Sequence, residues 1–103
     1  MSDENQIFVP PSFIALYSDS RQRLRAPVAQ VRARHELCED LAHHLVEQAQ
    51  RLYHVEAPSE EGILLRMHSG LCHADAGLGR PEAGWIICRL AELLGWRCPA
   101  LPE

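Results

Sequence analysis

The sequence contains no lysine: all ten of its basic residues are arginine. That absence removes Schiff-base chemistry, which needs an amine, and a Walker-type nucleotide loop, which needs a lysine beside the phosphates. It leaves forked contacts to carboxylate or phosphate within reach. Aromatic residues are scarce, at 6% of the chain. No run approaches the roughly 18 consecutive apolar residues of a membrane-spanning helix. The opening Ser2-Asp3-Glu4-Asn5-Gln6 is acidic and polar, unlike the basic start of a secretory signal. A cytoplasmic location without membrane contact is the expectation.

No C-x-x-C pair occurs among the four cysteines, Cys38, Cys72, Cys88 and Cys98. Without that spacing or a secretory context, reduced thiols are expected rather than a disulfide framework. The glycines do not form a dinucleotide fingerprint either. Gly77-Leu78-Gly79 is followed by Glu82 where a third glycine would stand, and no strand precedes it. No cofactor is therefore expected. The formal charge of −4 opposes broad nucleic-acid binding, which needs enough cations to displace counterions from many phosphates.

The chain has 103 residues, enough for one domain with its own core. From Pro27 to about Val55 it runs without an internal glycine or proline, and Val28, Val31, Cys38, Leu41, Ala42, Leu45, Ala49, Leu52 and Tyr53 recur at helical spacing. This predicts one long amphipathic helix whose apolar stripe needs a cover. Pro11 suits the first turn of a short helix through about Tyr17. Ser18 to Ala26 reads as an arginine-rich connector. Ser59 is a candidate N-cap for a third helix carrying Leu64, Met67, His68 and Leu71 on one face. A fourth helix is predicted from near Pro81 to Leu94, with Ala83, Ile86, Ile87, Leu90 and Leu94 inward and Gly95 as its left-handed stop. The resulting fold class is all-α, a small helical bundle of three main helices plus a short N-terminal helix. Residues 1–10 are expected to be a flexible or extended lead-in, 11–96 the bundle and 97–103 an extended tail.

The candidate chemistry is thin. His68 and Cys72 stand four residues apart on a helix with His73 adjacent, which makes the three the natural candidates for metal ligation or thiol chemistry. Buried structural roles are commoner for such residues, and no pair-and-pair zinc signature accompanies them. Glu60 with Glu61, and Glu36 with Asp40, read as first-turn and solvated-face charge rather than as an acid–base pair. The chain is read as non-enzymatic.

Two features point instead to a protein partner. Trp85 falls opposite the apolar stripe of its helix, beside Arg89, and exposed aromatic plus arginine is the composition of interface hot spots. Between Ser20 and Arg34 lie Arg21, Arg23, Arg25, Arg32 and Arg34 with no acid among them, a concentration of positive charge suited to an acidic partner. The expected activity is that of a protein-interaction module working through the face around Trp85 and Arg89, with Arg21, Arg23 and Arg25 as a secondary contact to an acidic partner and a homodimer one form of the contact. Metal-binding or thiol-dependent regulation is the alternative.

Four segments, Ile7-Phe8-Val9-Pro10-Pro11-Ser12-Phe13-Ile14-Ala15-Leu16-Tyr17, Glu36-Leu37-Cys38-Glu39-Asp40-Leu41-Ala42, Met67-His68-Ser69-Gly70-Leu71 and Arg89-Leu90-Ala91-Glu92-Leu93-Leu94-Gly95-Trp96, resemble a family of small uncharacterised bacterial proteins. Some members are labelled "ATPase with chaperone activity". What the resemblance implies for a chain lacking a nucleotide loop is an accessory partner of a larger ATPase.

Overall fold

Pro10 and Pro11 start the first helix. Pro10 is extended, its carbonyl accepts from the amides of Phe13 and Ile14 at 2.9 and 3.0 Å, and Pro11 occupies a position where a missing amide costs nothing. The computed structural model describes residues 9–56, 59–73 and 77–101. In it, α1 (Pro11–Ile14) tightens into a 3-10 turn (Ala15–Tyr17), and three long helices follow, α2 (Val28–Glu56), α3 (Glu60–His73) and α4 (Arg80–Leu94). No strand occurs among the described residues, and the fold is the expected all-α bundle. Residues 1–8 of the lead-in, and residues 57–58, 74–76 and 102–103, lie outside the described set.

The chain divides into two compact units, Met1–Leu37 and Cys38–Glu103, with the boundary inside α2. In the first, the Phe13 ring is wholly buried and lies 5.5 Å from that of Tyr17 and 5.4 Å, edge-on, from that of His35. Val31 is buried as the periodicity requires, whereas Val28, in the first turn of α2, is exposed.

In the second unit the centre of the core is Ala49 from α2, Ile63, Leu64 and Met67 from α3, and Ile87, Leu90 and Ala91 from α4. Leu45, Leu52 and Leu71 surround it half-buried. Small side chains on α2 (Cys38, Ala42, Ala49) are its fully buried ones, while its larger leucines reach the core from the flank. Ile63 joins the core although the predicted face of α3 omitted it.

Helix ends follow local chemistry. Ser59 caps α3, its Oγ accepting from the Gly62 amide at 2.9 Å, and Glu60 and Glu61 fill the first turn. At α4, Glu82 reaches back to accept from the Gly79 amide at 3.2 Å. Gly95 is left-handed (φ 74°), its amide donating to the Glu92 carbonyl at 3.1 Å and that of Trp96 to the Ala91 carbonyl at 2.8 Å, which makes a Schellman stop. That reversal sends Trp96 back over the core, where its ring lies 5.5 Å from Tyr53. Tyr53 therefore belongs to the stripe yet remains exposed on its other side.

Candidate functional site

The segment read as a connector is a miniature hairpin. The Asp19 amide donates to the Arg23 carbonyl (2.8 Å), the Gln22 amide to the Asp19 carbonyl (2.9 Å) and the Arg25 amide to the Tyr17 carbonyl (2.7 Å), with Ser18 and Leu24 in an antiparallel bridge. Residues 20–22 form the loop, and Gln22 takes the left-handed conformation (φ 65°) that closes such three-residue turns. Asp19 organises the interior, its Oδ1 accepting from the amides of both Arg21 (2.8 Å) and Arg23 (2.9 Å).

With the one local carboxylate turned to the backbone, Arg21, Arg23 and Arg25 all lie at the surface. They are not equivalent. Arg25 spends Nη2 on the Leu16 carbonyl at 2.7 Å and so ties the hairpin to the 3-10 turn. Ser18 adds a second tie, its hydroxyl donating to the Ile14 carbonyl at 2.8 Å. Three exposed apolar side chains belong to the same stretch of chain: Ile14 (37% accessible), Leu24 (38%) and Val28 (56%). The same stretch of chain therefore carries a basic turn and exposed apolar side chains.

The other predicted surface is arranged differently. Trp85 is half-buried rather than freely exposed. Arg89 is engaged within the molecule: Nε donates to Glu39 Oε1 at 2.9 Å, Nη2 to Glu39 Oε2 at 2.9 Å and Nη1 to Glu92 Oε1 at 3.0 Å. On the same carboxylate, His43 Nε2 meets Glu39 Oε2 at 2.9 Å. Donation from Arg89 is the main reason the Glu39 carboxyl lies below its ordinary pKa, with His43 assisting and partial burial opposing. Bonding to Glu39 correspondingly raises the pKa of the Arg89 guanidinium. A guanidinium held by two carboxylates has little left to offer a partner.

Of the thiol candidates, the structure brings two together and turns the third elsewhere. Cys72 Sγ lies 3.6 Å from His68 Nε2, one turn away on α3. His73 instead places Nδ1 2.8 Å from the Ser69 carbonyl, at the surface. His68 is buried, and its pKa is lowered chiefly by loss of hydration and further by Arg80, which favours the neutral imidazole. A neutral imidazole does not provide the charge that would stabilise a thiolate. No group of three or more His, Cys, Asp or Glu side chains suited to a metal occurs among the described residues.

Reduced thiols throughout were expected, and here the structure corrects the sequence: Cys88 and Cys98 are joined in a disulfide. The reason is the turn at Gly95. It folds the tail back along the last turns of α4, bringing two cysteines ten positions apart to a Cα–Cα distance of 5.1 Å, inside the span a disulfide needs. Cys38 and Cys72 remain free, the first buried and the second half-buried.

No helix among the described residues is long and apolar enough to cross a membrane. Compared with known proteins, the chain matches no family model, no curated protein and no solved structure.

Proposed function

We propose that this chain is a non-enzymatic protein-interaction module whose basic turn, led by Arg21 and Arg23, docks an acidic, partly apolar segment of a protein partner. The supporting observation is the Asp19-centred hairpin, in which the local carboxylate is bound to backbone amides while the arginine side chains face outward. Clustered cations steer an acidic partner by long-range attraction, and Ile14, Leu24 and Val28 supply the apolar contact that charge alone does not. Because Arg89 is bound to Glu39 and Glu92, the Trp85–Arg89 face is the weaker surface for such a partner. A cytoplasmic setting and an accessory role beside a larger protein belong to this proposal.

The test is fluorescence anisotropy with a labelled peptide alternating glutamate and leucine, at several salt concentrations, against wild type and the Arg21→Glu/Arg23→Glu double variant. Binding weakened at least ten-fold in the variant and by added salt, with an unchanged urea midpoint, supports the proposal. Equal binding by both proteins removes it. Light scattering on the same samples separates self-association from a foreign partner. The alternative, metal-binding or thiol-dependent regulation, is examined by elemental analysis and free-thiol titration. The Cys88–Cys98 bond favours its thiol half.

A further inference from the structure

The tail after α4 is held in an unusual way. Beyond the Trp96 amide, residues 97–101 make no backbone–backbone hydrogen bond among the described residues. Three side chains hold the segment instead: Trp96, whose ring leans on Tyr53; Cys98, bonded to Cys88; and Leu101, which packs on the core beside Gly84. A Cβ built on Gly84 would stand 3.6 Å from Leu101 Cδ1, so the tail crosses α4 at close range where the helix has no side chain. Both bridged cysteines are half-buried residues rather than members of the sealed core.

We propose that the Cys88–Cys98 bond is a redox clasp that keeps residues 96–101 folded across α4, and that its reduction frees the tail and uncovers an apolar strip at Tyr53 and Gly84. This deepens the thiol-dependent reading and is independent of the acidic partner at the basic turn. The reductant is a low-molecular-weight thiol. Its thiolate attacks one sulfur of the bridge, breaking the S–S bond and forming a mixed disulfide, while the displaced cysteine sulfur takes up a proton. A second reductant thiolate then attacks the reductant's own sulfur in the mixed disulfide. The second cysteine leaves and is protonated. Two electrons pass from two thiols to the bridge, giving one oxidised thiol dimer and two protein thiols.

Release is expected to be local, because the buried cluster is built from helix residues and the tail side chains against it are only half-buried. Ala49 of α2, Ile63, Leu64 and Met67 of α3, and Ile87, Leu90 and Ala91 of α4 form the buried cluster, and Trp96, Cys98 and Leu101 pack against it. Opening therefore alters a surface and leaves the helices in place.

The full chain is compared oxidised, reduced with dithiothreitol, and as the Cys88→Ser/Cys98→Ser double variant. Trypsin cleavage after Arg97, which lies in the tail and is exposed, is followed alongside cleavage after Arg66 inside α3. Cleavage at Arg97 at least ten-fold faster in the reduced chain and in the double variant, with Arg66 cleavage and helical circular dichroism unchanged, supports the clasp. Binding of a hydrophobic dye should rise in the same two samples. Equal Arg97 rates, or four titratable thiols in the denatured non-reduced protein, overturn it. Faster cleavage at both arginines with loss of helicity also overturns it, since the bond would then hold up the whole unit. The arginine variant of the basic turn should behave as wild type in this assay, so failure here and failure of the acidic-partner proposal are read separately.

Discussion

Arg89 grips Glu39 across fifty positions of sequence through two nitrogens, Nε and Nη2, each 2.9 Å from a different carboxylate oxygen. The pair joins α4 to α2 within the second unit, and its planar fork is something a lysine ammonium does not reproduce. Arg89→Lys should therefore lower stability by about 1 kcal/mol despite keeping the charge, a partly exposed pair being worth no more than that order. Urea unfolding of wild type and variant checks it, and identical midpoints would show that the fork contributes nothing.

Two groups make stability fall toward acid, in different windows. His68 is held neutral, below its ordinary value of 6.5, chiefly by burial. The unfolded chain therefore takes up that proton first, so the contribution is complete above the ordinary value and is lost as pH falls through the lower folded one. Glu39 behaves likewise one window lower, its contribution present above 4.5 and lost as pH falls through its depressed folded pKa. The urea midpoint should decline as pH falls below 6.5 in wild type and less steeply in His68→Gln. Below pH 4.5 the decline should be shallower in Glu39→Gln than in wild type.

Two glycines should respond oppositely to alanine. Gly70 lies exposed within α3 with nothing within 4 Å of an added Cβ, so Gly70→Ala should raise stability by about 0.5–1 kcal/mol through helix propensity alone. Gly95 has φ 74°, where an L side chain is strained, and Gly95→Ala should cost about 1–2 kcal/mol. Thermal melts of the two variants should shift in opposite directions.

Depth of burial should rank the leucines. Leu90 and Leu64 are completely inaccessible, and truncating either to alanine should cost about 2–5 kcal/mol through lost transfer energy and the cavity left behind. Leu45 flanks the cluster half-buried, so Leu45→Ala should cost less than either. Chemical denaturation of the three variants orders them.

What the sequence made legible was whatever obeys a period or a cap. The run from Pro27, the Ser59 cap and the Gly95 stop placed three helices to within a residue or two, because an apolar stripe and a helix end are written in neighbouring positions. The turn at 19–23 was not read, although Asp19 is a common first residue of such turns, because Gln22 stands where glycine usually signals the left-handed position. Arg89 looked available because its main partner, Glu39, lies on another helix, which sequence spacing does not report, although Glu92 three positions on was legible as a second. The Cys88–Cys98 bond was missed for a related reason: its geometry arises only after Gly95 has reversed the chain.

The hairpin has its shape before anything meets it. Asp19 binds two amides, Arg25 and Ser18 anchor the stem, and the backbone closes through three further bonds, so the guanidinium groups rise from a rigid platform. A ligand arriving there would order only the arginine side chains and itself, not the loop backbone, which keeps the entropic penalty of association small. Asp19→Ala removes the carboxylate and every bond it makes while keeping every cation, so weaker capture of the acidic peptide in the anisotropy assay, despite one anion fewer, is the expected result of the loosened platform.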